Sequence, residues 1–169
     1  MKIGILGPSK PKEWYKLMKV KEKDYLEKIK YIANVIANKN HSIVIVPHKD
    51  SLSHIFTQYY IDFNGNKVIG IIPSEDTEFG YDYLDKEICD EIINAGTWRN
   101  VPESLDENSD ILLVLALGPG IFVEIGQTKW FKVNKIYVIK EFTSQPMHKE
   151  LTYKLPIEEI SLEELENKI

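Results

Sequence analysis

The sequence predicts a doubly wound α/β fold, with three layers in which a mostly parallel sheet carries helices on both faces. Short apolar runs alternate with helix-like segments along the chain, which favours parallel strands joined by right-handed crossovers. The run Ile111–Leu117 shows no polar alternation, as expected of a strand that is covered on both faces. Two apolar runs end in turns rich in glycine and proline, at Gly7-Pro8-Ser9 and at Gly118–Gly120.

Length, charge and cysteine content restrict the class of protein. The 169 residues suffice for a core, and we expect a single domain over 1–169. The net charge of -5 argues against a nucleic-acid-binding surface. Cys89 is the only cysteine, so we expect no internal disulfide, no cysteine metal site and a reducing, cytoplasmic location. We expect no membrane partner, because the chain has no secretory signal and no apolar run near the roughly 20 residues of a membrane span.

The first predicted strand is Lys2–Leu6, which ends at Gly7-Pro8-Ser9. This opening is typical of nucleotide-binding α/β folds, although it contains only one glycine of a phosphate loop. Ser9 either caps a helix or contacts an anion. The basic and aromatic stretch Lys10–Lys21 is either an irregular lid over the strand ends or the start of the next helix.

The best-defined helix is Asp24–Lys39, where apolar residues recur every three or four positions. The segment Lys86–Asn94 fits either a helix or a short strand. The terminal helix is predicted within Ile157–Ile169, where Ser161 and Glu164 form a capping box. The other predicted elements are, in order, the strand Ser42–Val46, the helix Leu52–Phe63, the strand Lys67–Ile72, the loop Ser74–Tyr83, the helix Val101–Asn108, the strand Lys135–Lys140 and a final edge strand Leu151–Leu155.

His48, Asp50 and His54 lie close together in the sequence, in and after the turn that follows the second strand. Histidine and aspartate are metal ligands, but this spacing matches no recognised ligand pattern. We therefore interpret the three as solvated turn residues, and we expect neither a metal nor another resident cofactor.

The segment Ser109–Gly126 combines a buried strand, a glycine turn and the start of a helix predicted over Ile121–Lys132. Pro119 suits a first helical turn. The backbone amides of Gly118, Gly120 and the following helix, together with the positive end of that helix, then point at whatever lies above the strand, which predicts an anion site. Glu124 falls one turn into this helix, and a carboxylate beside an anion site indicates a function other than phosphate binding alone.

Arg99 is the single arginine among 21 basic residues, and it lies in a polar turn before the Ser109–Gly126 segment. A planar guanidinium binds phosphate or carboxylate better than a lysine does. The alternative is a surface salt bridge.

Ligands of doubly wound sheets bind beyond the carboxyl ends of the strands, at the point where the strand order reverses. The turns that follow the predicted strands meet there, together with Arg99 and Glu124. We therefore expect a site for a nucleotide or another phosphorylated small molecule. The candidate binding residues are Gly7, Ser9, Gly118, Pro119, Gly120 and Ile121.

The order VIGIIP, TWRN, SDILLVLALGPGIFVEIG and KIYVI resembles the family labelled "possible lysine decarboxylase", which is related to the LONELY GUY phosphoribohydrolases and to molybdenum cofactor carrier proteins. The resemblance runs from Lys2 to about Phe142 and is strongest over Arg99–Gly126. It implies a Rossmann-like fold and a homodimer or higher homo-oligomer. It also implies a hydrolase that cleaves a nucleoside 5′-monophosphate into free base and ribose 5-phosphate. Lysine decarboxylation is not expected, because the chain has no pyridoxal-binding lysine motif.

Within this resemblance, Arg99 and Glu124 match the family's arginine and glutamate and are the implied catalytic residues. The last positions of the family's glycine turn are filled by Gly118–Gly120. The chain departs from the pattern at Ala116-Leu117, which replaces the leading glycines, and at Ile121, which stands where the family has threonine.

Three functional interpretations follow. In the first, the protein is an enzyme in which Arg99 and Glu124 face a ribose, and Glu124 stabilises positive charge or orients water. In the second, it is a binding or carrier protein that has kept the pocket and lost turnover. In the third, Glu124 only stabilises the helix dipole and Arg99 is its salt-bridge partner.

Overall fold

The computed structural model describes residues 1–78 and 80–169, and its strands form one parallel sheet of seven strands. The order across the sheet is β4-β3-β2-β1-β5-β6-β7. The predicted doubly wound α/β class is therefore confirmed. The strands are β1 Lys2–Leu6, β2 Ser42–Ile45, β3 Val68–Ile72, β4 Glu91–Asn94, β5 Ile111–Val114, β6 Lys135–Ile139 and β7 Ile157–Ile160.

Helices cover both faces of the sheet, and each face has its own apolar core. One core joins β1 and β5 side chains to the first three helices and the last one, and the other joins them to the fourth and fifth helices. None of the helices in the described ranges is both long and apolar enough to span a membrane. The helices are α1 Pro11–Met18, α2 Glu22–Asn38, α3 Leu52–Asp62, α4 Val101–Glu107, α5 Pro119–Gln127, α6 Lys149–Thr152 and α7 Leu162–Lys168.

Two segments that the sequence left open are resolved. Lys10–Lys21 is largely helical, as α1, and Lys86–Asn94 contains a 3-10 turn followed by β4. Strand β4 forms because β3 offers it a parallel partner, with Ile69 opposite Glu91. The predicted loop Ser74–Tyr83 ends in a 3-10 turn, and Phe79 within it lies outside the described residues.

The prediction for the C-terminal region is wrong in one respect. The expected edge strand Leu151–Leu155 is not a strand: its first residues belong to α6, and the edge strand is β7. The sequence of β7, Ile-Glu-Glu-Ile, resembles the first turn of an acidic helix. It becomes a strand because β6 pairs with it over four residues and Ile160 is buried against the core. The capping box of Ser161 and Glu164 is confirmed at the start of α7.

The strand order reverses between β1 and β5, which pair in parallel from Ile3 opposite Ile111 to Leu6 opposite Val114. The chain runs outward from β1 through β2, β3 and β4 on one side, and from β5 through β6 and β7 on the other. Because the crossovers leave these two strands on opposite faces, a crevice opens beyond their carboxyl ends.

A glycine in the turn before β3 makes the closest approach to a buried ring. A Cβ atom on Gly65 would lie 2.2 Å from Cζ of Tyr60. The Tyr60 ring is fully buried, and its hydroxyl donates to the carbonyl of His41 at 2.6 Å and accepts from the Lys67 amide at 3.1 Å. The ring is therefore fixed at its far end and has no free direction in which to move.

We expect Gly65→Ala to lower the free energy of unfolding by about 3 kcal/mol, the upper end for overpacking. Gly126→Ala is the matched control, because a Cβ there meets no described atom within 4 Å. The control should be neutral or slightly stabilising, since alanine favours a helix over glycine. Urea denaturation measures both variants, and equal stability of the two would contradict the packing described for Tyr60.

Candidate functional site

An open cleft of about 440 Å³ lies beyond the carboxyl ends of β1 and β5. Its walls are the turn after β1, the helix α1 and the N-terminus of α5. The structure thus brings together the sequence-predicted residues of the two turns. Its lining includes Gly7, Ser9, Lys10, Trp14, Gly118–Ile121 and Glu124.

The N-terminus of α5 presents unused backbone donors to this cleft. Gly118 is the N-cap residue in an extended conformation, with no side-chain cap, and Pro119 opens the helix. The first helical bond runs from the Phe122 amide to the Gly118 carbonyl at 3.1 Å. The amides of Gly118, Gly120 and Ile121 donate to none of the described residues. These donors and the helix dipole make the cleft attractive to an anion.

The side chains of the described residues leave the space above these donors open. A Cβ atom placed on Gly118 or Gly120 would meet no described atom within 4 Å. Neither glycine is required by its backbone angles, because both lie in conformations open to any residue. The lack of side chains at the two glycines therefore keeps the donors accessible. A bulkier residue at either position would not prevent the protein from folding.

An aromatic cluster supports the cleft from the α1 side. Trp14 lines the cleft and packs on Tyr25, with ring centroids 4.9 Å apart, and Tyr25 packs on Phe142 at 4.6 Å. The Tyr25 hydroxyl donates to the carbonyl of Leu115, in the segment that leads to α5. The cluster therefore fixes the position of the chain just after β5, beneath the cleft.

A second pocket of about 240 Å³ adjoins the cleft beyond β2 and is called here the Trp98 pocket. It shares Gly7, Ser9 and Glu124 with the cleft, so that Glu124 stands between the two spaces. The Trp98 amide lies 3.4 Å from Oδ2 of Asp76, and the indole N–H donates to the Glu78 carbonyl at 3.3 Å. Other lining residues are Val46, His48, Ser51, Ser53, Val101 and Pro102.

The carboxyl group of Glu124 is shielded from water although part of the residue is accessible. Burial raises the pKa of this carboxyl to about 7. Near neutral pH it is therefore present in both protonation states, and it can donate or accept a hydrogen bond at the junction of the two spaces.

Asp106, on α4, is a buried acidic residue that the sequence did not indicate. It is 1% exposed, and neither carboxyl oxygen has a hydrogen-bond partner among the described residues. Burial first, and the nearby charge of Glu124 second, raise the pKa of Asp106 to about 8. The burial of Asp106 could not be predicted from the sequence, because the residue lies in the polar stretch SLDENSD, which is typical of a solvated helix end.

Arg99 lies apart from the residues that line the two spaces. It is exposed in the 3-10 turn Trp98–Asn100, and it forms no ion pair with any residue the structure describes. Its catalytic role therefore stays a prediction. The helix-capping interpretation of Ser9 is wrong, because the N-cap of α1 is Lys10 and Ser9 faces the cleft instead.

The interpretation of His54 as a solvated turn residue is also wrong. Its side chain is buried in α3, and its Nε2 lies 3.1 Å from Oδ2 of Asp85. This contact ties α3 to the segment before β4. His48 lines the Trp98 pocket, and Asp50 has a positive φ of 62° in its turn. Among the described residues, no group of three or more potential ligands is placed to hold a metal ion.

Fold and site together define a doubly wound α/β protein with an open cleft where the strand order reverses. No protein-family model matches the chain, and no curated protein sequence matches it significantly. Solved structures are similar in fold. The molybdenum cofactor carrier protein of Chlamydomonas reinhardtii superposes with a TM-score of 0.68 at 16% identity, over 99% of this chain and 94% of that protein.

Two further structures share the fold. The molybdenum cofactor binding protein of the phototrophic bacterium Rippkaea orientalis has a TM-score of 0.67 and 15% identity, over 96% of this chain and 90% of that protein. An X-ray structure of a structural genomics target has a TM-score of 0.65 and 17% identity, over 96% of this chain and 94% of that protein. At these identities the likeness establishes the Rossmann-like fold.

Proposed function

We propose that the protein binds a nucleotide or another phosphorylated small molecule in the manner of the LONELY GUY-like proteins, as a binding or carrier protein. The observation that carries the proposal is the N-terminus of α5, where the amides of Gly118, Gly120 and Ile121 face an open cleft and donate to none of the residues that the structure describes. Such an arrangement, at the reversal of strand order, is where doubly wound proteins bind phosphorylated ligands.

The two adjoining spaces fit a ligand with two parts. The phosphate would accept hydrogen bonds from the amides of Gly118, Gly120 and Ile121, with the charged Lys10 side chain at the rim. A planar ring would enter the Trp98 pocket, where an indole and a proline offer apolar surface and Ser9 offers a hydroxyl. Glu124 would then lie beside the link between the two parts.

Three features favour binding over turnover. Ile121 supplies an amide to the cleft but no hydroxyl, and Arg99 lies outside the lining of both spaces. In addition, two of the proteins similar in fold are described as a carrier of the molybdenum cofactor and as a protein that binds it. These features support a small-molecule-binding role for this chain.

A phosphoribohydrolase is the second candidate, and Glu124 is the observation that favours it. A carboxyl group with a pKa of about 7 can exchange a proton at neutral pH, as a general acid or base must. Beside a bound ribose, its ionised form would stabilise the positive charge that develops as the N-glycosidic bond breaks, or orient the attacking water. The products would be the free base and ribose 5-phosphate.

The protein is also proposed to form a homodimer or higher homo-oligomer. The outer side of α5 supports this proposal, because Phe122 and Val123 are 40% and 52% exposed, and Trp130 just beyond the helix is 71% exposed. Exposed apolar groups on one element are typical of a contact surface between protein chains.

A panel of nucleoside 5′-monophosphates, with the molybdenum cofactor added, separates these functions. We expect at least one compound to bind in calorimetry and to be recovered intact by chromatography after prolonged incubation. Release of free base, abolished by Glu124→Ala, would instead establish the hydrolase. If no compound binds, the proposed ligand class is wrong.

A further inference from the structure

Two serines that line the Trp98 pocket use their hydroxyl protons within the protein. Ser53 Oγ donates to the Val46 carbonyl at 3.2 Å. Ser51 Oγ lies 3.0 Å from Ser53 Oγ and accepts from the His54 amide at 3.2 Å. Because a carbonyl oxygen can only accept, the Ser53 proton goes to Val46 and the Ser51 proton goes to Ser53. The two buried hydroxyls therefore have lone pairs left for a ligand, but no proton.

The remaining polar side chains of the pocket differ in where they lie. The Trp98 indole N–H is also committed within the protein, since it donates to the Glu78 carbonyl at 3.3 Å. Ser9 and Glu124 line the cleft as well as the pocket, so they lie at the junction of the two spaces. Of the polar side chains that line the pocket away from this junction, only His48 still has its hydrogen-bonding capacity to assign.

The position of the His48 ring is fixed by its neighbours. The Lys49 amide donates to the Tyr83 carbonyl at 2.8 Å, and the His48 ring lies parallel to the Tyr83 ring, with centroids 5.9 Å and planes 16° apart. His48 Nδ1 lies 3.0 Å from the Lys49 carbonyl, which can only accept, so Nδ1 carries the proton. In the neutral ring Nε2 is then an acceptor, and it meets no donor among the residues that the structure describes.

We propose that His48 selects the ring of the ligand, and that its Nε2 accepts a hydrogen bond from an N–H group of that ring. The inference rests on the proposed binding function, and it names the ring as a nitrogen heterocycle with an amino group on the edge that enters the pocket. A ring without an N–H group on this edge would leave Nε2 and the serine lone pairs buried without a donor, which is unfavourable.

Three nucleotides that differ only in the amino group of a purine ring test this selection. They are adenosine 5′-monophosphate, 2-aminopurine riboside 5′-monophosphate and purine riboside 5′-monophosphate, which has no amino group. We expect the better of the two amino compounds to bind at least about fivefold tighter than the third, as one additional hydrogen bond predicts. Calorimetry measures the three affinities, and equal values in the wild type would overturn the proposal.

His48→Phe removes the acceptor nitrogen and keeps a planar ring beside Tyr83. We expect the affinities of the three nucleotides to converge in this variant. His148→Phe is the matched control, because it makes the same change at an exposed histidine that lines neither space. The control should keep the wild-type preference. A preference that persists in His48→Phe would show that another group selects the ring.

The position of the proton on His48 is tested without any variant, by 15N–1H NMR of the histidine side chains at pH 8.5, where an imidazole is ordinarily neutral. We expect a protonated Nδ1 and an unprotonated Nε2. The Nε2 signal should shift when the better amino nucleotide is added and should stay unchanged with ribose 5-phosphate. A proton on Nε2 in place of Nδ1 would overturn the proposal whatever the affinities are.

Ribose 5-phosphate also separates failure of this inference from failure of the proposed function, because it has the phosphate and no ring. If it binds and the three nucleotides show no preference, selection by His48 is refuted and the binding function stands. If neither ribose 5-phosphate nor any of the nucleotides binds, the function and the selection are refuted together.

Discussion

The contribution of Asp106 to the free energy of unfolding is expected to fall by about 4 kcal/mol as the pH rises from 5 to 9, because this carboxyl is buried with no hydrogen-bond partner among the described residues. Its pKa is about 8 in the folded protein and 3.8 when unperturbed. Between these values the folded state holds a proton that the unfolded state has released. The stabilisation is therefore complete below about pH 4 and is lost as the pH rises through 8. Glu124, with a pKa raised to about 7, contributes in the same direction.

Asp106→Asn should remove this contribution, because an amide of the same shape cannot ionise. A further fall in the free energy of unfolding as the pH rises from about 4.5 through 7 should remain in this variant, because Glu124 still titrates there. Urea denaturation at several pH values measures the effect, with Glu107→Gln as the control that loses an exposed carboxylate from the same helix. If wild type and Asp106→Asn lose stability in parallel up to pH 9, then Asp106 is not buried as the structure has it.

Gly120→Asp is expected to weaken binding of a phosphorylated ligand at least tenfold, which is about 1.4 kcal/mol. The new carboxylate would lie in open space beside the amides of Gly118 and Ile121, where the phosphate is proposed to bind. Two negative charges about 4 Å apart near a protein surface repel by up to about 4 kcal/mol before screening by salt. The fold should be unaffected, because an acidic residue in a first helical turn is favourable.

Gly126→Asp is the matched control for this variant. It makes the same change on the same helix, in a position that has free space but lies outside the lining of the cleft. We expect it to bind the tightest nucleotide of the panel as the wild type does, while its thermal stability falls slightly because the acid lies near the C-terminus of α5. Calorimetry of both variants at one salt concentration makes the comparison. Equal affinity of the two variants would exclude the N-terminus of α5 as the phosphate site.

The turns around the cleft were predictable because their chemistry is local. Glycine and proline mark the ends of β1 and β5 in the sequence, and parallel strands place their carboxyl ends at one edge. From this alone, Gly7, Ser9 and Gly118–Ile121 were expected to meet, and the structure brings them to one cleft. Glu124 could be placed near the same opening because it follows the turn by one helical turn.

The neighbours of Glu124 could not be predicted in the same way. Asp106 looks like an ordinary acid in a polar segment, and Trp98 looks like part of a surface turn. Trp98 lines the pocket and Asp106 is buried only because α4 packs on α5 beside the end of β3. Arg99 is the opposite case. Because it is the single arginine and matches the family's arginine, the sequence predicted that it lies at the cleft. In the structure the residue is exposed and lies outside the lining of both spaces.

The sequence by itself determined the alternation of strands and helices, the parallel sheet and the anion-binding turn, since each of these depends on the order and spacing of neighbouring residues. Only the tertiary structure decided that β7 is a strand, that His54 is buried against Asp85, and that Asp106 is buried with no hydrogen-bond partner among the described residues. In each of these cases the outcome depends on a contact between distant parts of the chain. A strand needs a neighbouring edge, and the pKa of a carboxyl group depends on what surrounds it after folding.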